Sequence, residues 1–271
     1  MTELVVRRIP FTFEDVKFLW NPANPEFSLL ANVLTFQTIG FERFICKSMH
    51  EALPQITSKD IHDEIKSFTT QEMVHAQAHL KHARSIIDLY PKLQDALDES
   101  LADFDALWAA RDLDFRLAYS ATIEATSLPL YKVMLTHRNK MFAGGDSKVV
   151  ALLIWHFCEE IEHRSSALLV YNHVVGRPWY RLRVFAEVGQ HLAANMTRIV
   201  DRFAEHVPGV AALDIRRATA QIPFWARAKM VTSLLTSQLP WYRPEADRLP
   251  EYYRIWMQRY EAGEDMRFVP L

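Results

Sequence analysis

Two E-x-x-H tetrads stand in the 271-residue chain, Glu72-Met73-Val74-His75 and Glu160-Ile161-Glu162-His163. In a helix a three-residue step turns by about 300°, which leaves carboxylate and imidazole about 60° apart on one face and one turn apart in height. Both then reach a single metal ion. Two further glutamates stand alone in apolar or small-residue settings: Glu42 among Thr38, Ile39, Ile45 and Cys46, and Glu124 among Ser120, Ala121, Ser127 and Leu128. A carboxylate on the apolar stripe of a helix is costly to bury, and a metal ion is one of the few neighbours that offsets the cost. Glu42 precedes Glu72 by 30 residues and Glu124 precedes Glu160 by 36, so each half of the pattern supplies one isolated glutamate and one tetrad. Four carboxylates and two imidazoles suit two ions of iron or manganese, or one of each, better than thiolate-preferring metals. The four carboxylates also offset most of the charge of two divalent ions.

Other polar residues cluster around this pattern. His156 lies four residues before Glu160 and extends it to H-x-x-x-E-x-x-H; it is expected as a further metal ligand, with a supporting core histidine as the alternative. His79, at i+4 from His75, is expected behind the ligands or in a pocket, whereas His82 is expected in solvent. Glu159 can pair with His163 at i+4, but only Glu160 reproduces the spacing of the first tetrad. Glu159 and Arg164 are therefore expected to support the ligands, Arg164 by pairing with Glu162 or Glu159 or in an ordinary surface ion pair. No catalytic side chain is expected beyond the ligands themselves. Tyr119, Tyr131 and Trp155 are either core or electron relays, and Phe36, Phe41, Phe44, Phe68 and Phe157 would line an apolar wall if their helices turn them inward.

Long helices must carry these residues. With 7 glycines and 13 prolines the chain is poor in tight-turn residues, and with 49% hydrophobic and 24% charged residues it is a folded chain rather than a disordered one. Helices are expected between Pro25 and Pro54, from Thr57 to Pro91, from Lys92 to about Ala110, from Asp112 to Phe142, from Asp146 to Gly176, and from Trp179 to about His206. The last 60 or so residues, punctuated by Pro223, Pro240, Pro244 and Pro250, are expected as short outer helices. Two helical hairpins joined by a long crossover give an all-α fold, a ferritin-like four-helix bundle with additional C-terminal helices. The expected organisation is one domain over 1–271, with a metal-binding core at about 26–175 and peripheral helices at about 179–271. A net charge of −2 without a basic block argues against nucleic acid as a partner, and the two cysteines fit a cytoplasmic protein. No export signal or transmembrane span is visible.

Over about Asn32 to His173 the four glutamates and two tetrads resemble the ferritin-like di-iron carboxylate superfamily. The run His156-Phe157-Cys158-Glu159-Glu160-Ile161-Glu162-His163 resembles sequences described as predicted metal-dependent hydrolases within it. The H-x-x-x-E-x-x-H spacing is similar to that of p-aminobenzoate N-oxygenases, where a third histidine joins the two pairs. The superfamily resemblance implies a dinuclear centre that activates dioxygen. The leading expectation is thus a di-iron oxidase or oxygenase that oxidises a small apolar or aromatic substrate and, if an oxygenase, draws on an electron donor. Metal-assisted hydrolysis is the alternative, and iron storage or detoxification ranks last. Trp225 and Trp241 are expected in a homodimer surface, in a grip on an apolar ligand or membrane surface, or packed on the bundle.

Overall fold

A computed structural model describes residues 4–268 and 271. Its elements are helical, and among the described residues there is no strand. Helix α1 (Pro25–Ala52) packs along α2 (Lys59–Leu89), and α3 (Leu93–Ala110) lies across α1 on the way to the second half. There α4 (Leu113–Thr136) and a short α5 (Arg138–Met141) precede α6 (Ser147–Glu162) and α7 (Ser166–Val174), which pack against α4 and α2. The core is therefore a bundle of α1, α2, α4 and the α6–α7 pair. Helix α8 (Pro178–His206) covers α3 and α4, while α9 (Phe224–Thr236) and α10 (Glu251–Glu261) lie on α4.

Local chemistry sets these boundaries. Asn24 accepts a hydrogen bond from the Phe27 amide just before Pro25, Asp112 accepts from Phe115, and Asp146 accepts from Lys148 and Val149. Each satisfies amides that the first helical turn leaves unpaired. The start of α2 is capped by Ser58 rather than Thr57, its hydroxyl accepting from Ile61. Gly40, in the middle of α1, is explained by packing: a Cβ there would lie 2.5 Å from the ring of Phe104, so its absence lets α3 settle onto α1.

Two expected helices are interrupted. The segment expected to run to Phe142 breaks at His137 between α4 and α5. The segment expected from Asp146 to Gly176 stops at Glu162 and restarts at Ser166. No proline or glycine stands at the second break. At this break Arg164 donates to the freed carbonyl of Ile161 and to that of Pro244, and the Ser166 hydroxyl donates to Glu64.

Among the described residues before α1 there is no helix, yet the segment is deeply packed. Phe11, Phe13, Val16 and Trp20 join the core beside α6, and Arg7 is buried.

Candidate metal centre

Each bundle helix turns one part of the glutamate–histidine pattern inward. Glu42 comes from α1, Glu72 and His75 from α2, Glu124 from α4, and His156 and Glu160 from α6; His163 is the residue that ends α6. All seven are buried. Their donor atoms form two overlapping groups, each within 4.8 Å: Glu42, His75, His156 and Glu160 in one, and Glu72, His75, Glu160 and His163 in the other. His75 and Glu160 belong to both. Glu124 joins through His163, its Oε2 lying 3.2 Å from Nδ1.

Glu160 lies at the middle. Its Oε1 is 2.9 Å from His156 Nε2, 3.5 Å from His75 Nδ1 and 3.6 Å from His163 Nε2. His75 Nδ1 also faces Glu42 at 3.9 Å and Glu72 at 4.0 Å, while His163 Nε2 lies 3.0 Å from Glu72. Despite this crowding, both carboxylate oxygens of Glu42, both of Glu72, Oε1 of Glu124, Nδ1 of His75 and Nε2 of His163 have no hydrogen-bond partner among the described residues. Buried polar atoms are normally paired, and seven unpaired donors and acceptors converging on one point are those that cations would satisfy.

The charges show the same need. Burial, reinforced by the neighbouring carboxylates, holds Glu42 and Glu72 well above the usual carboxylate range and brings Glu124 up to about 7. Against its burial, the surrounding imidazoles keep Glu160 well below that range. His75, although buried, is raised to about 9 by its bonds to Glu159 and Glu160.

The rear edges of two imidazoles are held. His75 Nε2 lies 2.8 Å from Glu159 Oε2, and Arg7 donates to Glu159 at 3.1 Å while gripping Glu162 through both terminal nitrogens. Holding the far nitrogen of a metal-facing imidazole fixes the ring's orientation and raises its basicity. His156 is held likewise, its Nδ1 lying 2.5 Å from His79 Nε2. The Thr35 hydroxyl then bridges His79 Nδ1 at 3.2 Å and His82 Nδ1 at 3.3 Å.

Some expectations change here. Arg164 pairs with neither Glu159 nor Glu162; it serves the helix break, and Arg7 takes the role expected of it. His82 is buried rather than solvated, because Phe13 packs against its ring at 5.1 Å. The sequence offers no local signal for Arg7, which stands 152 residues before Glu159. Phe36 packs on Phe203 and Phe44 on Tyr119 and Phe104, away from an apolar wall, and Phe68 meets His163.

Phe41 and Phe157 do line a cavity of about 240 Å³ that reaches the site at His79 and His156. Leu130, Tyr131, Met134 and Leu153 extend its wall, and Leu192 and Met196 of α8 with Met230 and Leu234 of α9 close it. Among the described residues no Lys, Arg, Asp or Glu lines it.

Residues 5–247 match a family described as predicted metal-dependent hydrolase. The chain belongs to that family. Neither a curated protein nor a solved structure matches it. The family description and the buried glutamate–histidine groups agree on metal dependence, and the match reaches past the bundle through α8 and α9.

Proposed function

We propose that the chain is a dinuclear-metal hydrolase acting on a neutral, largely apolar small molecule. The observation that supports it most is the set of converging buried atoms without hydrogen-bond partners. Glu42, Glu72, His75, Glu124, His156, Glu160 and His163 would hold the two ions, His75 through its one free nitrogen serving one of them and the Glu160 carboxylate within reach of both groups. Once bound, paired divalent ions lower the pKa of a water and polarise the bond it attacks.

The chain's own part is positioning and selection. Arg7 and Glu159 fix the His75 ring, and His79 fixes that of His156. The cavity holds the substrate body against Phe41, Leu130, Tyr131 and Phe157. A carboxylate or phosphate in its apolar part would meet no cationic partner and lose its hydration, so a neutral ester or amide is the matching electrophile. About 240 Å³, set beside the roughly 150 Å³ that admits benzene, has room for a body of about ten non-hydrogen atoms.

A second reading, dioxygen-dependent oxidation with two iron ions, is favoured by the purely oxygen and nitrogen donor set and by the apolar wall, which restricts water. Stripped protein reloaded with zinc, manganese or, without air, ferrous iron separates the two. Hydrolysis predicts turnover of a neutral p-nitrophenyl ester with zinc or manganese in the absence of dioxygen, lost in Glu160→Ala. Oxidation predicts dioxygen uptake and an optical band with iron alone. Failure to bind any of the three metals would overturn both readings.

A further inference from the structure

The helix that closes the cavity has a second apolar face, turned outward. At about 100° per residue, Phe224, Ala228, Val231 and Leu235 of α9 fall within about 60° of one another. Phe224 is 77% exposed, Val231 50% and Leu235 54%. Trp225 beside them is 66% exposed, its edge against His137. The opposite side of the helix carries Met230 and Leu234, which line the cavity, and the buried Ala226.

The charges on α9 itself are of one sign, while Asp247 and Glu251 share a pocket with Trp225 and Lys229 on one side of it. Arg227 and Lys229 fall on its two flanks. From Arg216 to Arg243 the chain has five basic residues and no acidic one, and acidic residues resume at Glu245. In a chain of net charge −2 such a stretch is a local excess. Aromatic and aliphatic side chains between basic flanks match the interface of an anionic bilayer, where the rings enter the headgroup layer and the long basic side chains reach phosphates. A second copy of the chain fits less well, because a two-fold contact along α9 would bring Arg227 and Lys229 of both copies together with no acidic residue on the helix to offset them.

We propose that α9 docks this protein on an anionic lipid surface, lying in the headgroup plane with Phe224, Trp225, Val231 and Leu235 inserted. Among the described residues no helix is long and apolar enough to cross a membrane, so the contact is a surface one. Docked in this way, a single helix separates the acyl chains from the cavity. This makes the bilayer a reservoir of neutral apolar substrate, a consequence that rests on the function proposed above; the docking itself does not.

The test uses full-length, metal-loaded protein floated with vesicles of phosphatidylcholine alone or with about one third phosphatidylglycerol at low salt. Binding to the anionic vesicles is expected, with a blue shift of tryptophan emission. At about fivefold per basic residue, Arg227→Glu with Lys229→Glu should weaken it at least about tenfold. Phe224→Ala with Leu235→Ala should weaken it while leaving helix content, metal content and solution turnover unchanged. Three results would overturn the docking: no binding to anionic vesicles, binding insensitive to both pairs of substitutions, or a concentration-dependent dimer that the apolar pair abolishes. None of these touches metal binding or solution turnover, which test the proposed function separately.

Discussion

Behind His75 the support is ionic. Glu159 faces the ring's far nitrogen and Arg7 neutralises Glu159, with all three side chains buried. Glu159→Gln keeps the shape but removes the charge, and it should lower metal affinity about 10- to 100-fold, measured by competition with a chelator. Arg7→Met strands Glu159 without a counter-charge and should cost about 3 kcal/mol in urea unfolding, more than an exposed arginine would. His82 supplies a pH signature. Burial pushes its pKa down to about 3 from an ordinary 6.5, so as pH falls through 6.5 the unfolded chain takes up a proton that the folded one refuses. Stability is therefore lost on the acid side, by about 2 kcal/mol at about pH 5 from this group. His82→Leu should flatten the unfolding free energy of metal-free protein over that range, and identical pH slopes in the two proteins would refute the assignment. The tetrads could be read from sequence because a three-residue spacing is local. Arg7 and the burial of His82 could not, because both depend on an N-terminal segment brought in from far along the chain.

Among the elements, α1 and α3 meet where a side chain is missing. Gly40→Ala places a methyl group into the buried Phe104 ring and should destabilise by about 1–3 kcal/mol, despite alanine's better helix propensity. Phe104→Leu in the same chain should recover part of the loss, and thermal melts of the single and double variants would show whether the two sites are coupled. The break between α6 and α7 depends on Arg164 reaching the carbonyls of Ile161 and Pro244. Helix starts were legible because Pro25, Asp112 and Asp146 mark them locally, and α3 and α8 lie close to where apolar spacing and proline put them. The break at His163 was not legible. The side chains beside it, Arg164 and Ser166, reach Pro244 and Glu64, partners that no nearby residue announces.

For the molecule as a whole, the centre is a place where the bundle stores unfavourable free energy. The carboxyls of Glu42 and Glu72 are held above their usual range, and their unpaired oxygens gain nothing from folding. Cations that bind the folded chain alone should therefore stabilise it, by about 2.7 kcal/mol at a hundredfold excess over Kd. Glu72→Ala should abolish that rise in unfolding midpoint, which calorimetry with and without manganese would show. Composition and periodicity made the all-helical class legible, but how the C-terminal third wraps was not. Helices α8 and α9 close the cavity through contacts between residues far apart in the chain. The opening segment has a consequence at this scale too. Its described residues form no helix and are tied down by Phe11, Phe13 and the grip of Arg7, like a strap drawn over finished woodwork. Shearing it off should leave four rods standing around a grasp that has lost its wrist: the imidazole of His75 would be free to swivel, and ions would enter and leave a socket no longer shaped for them.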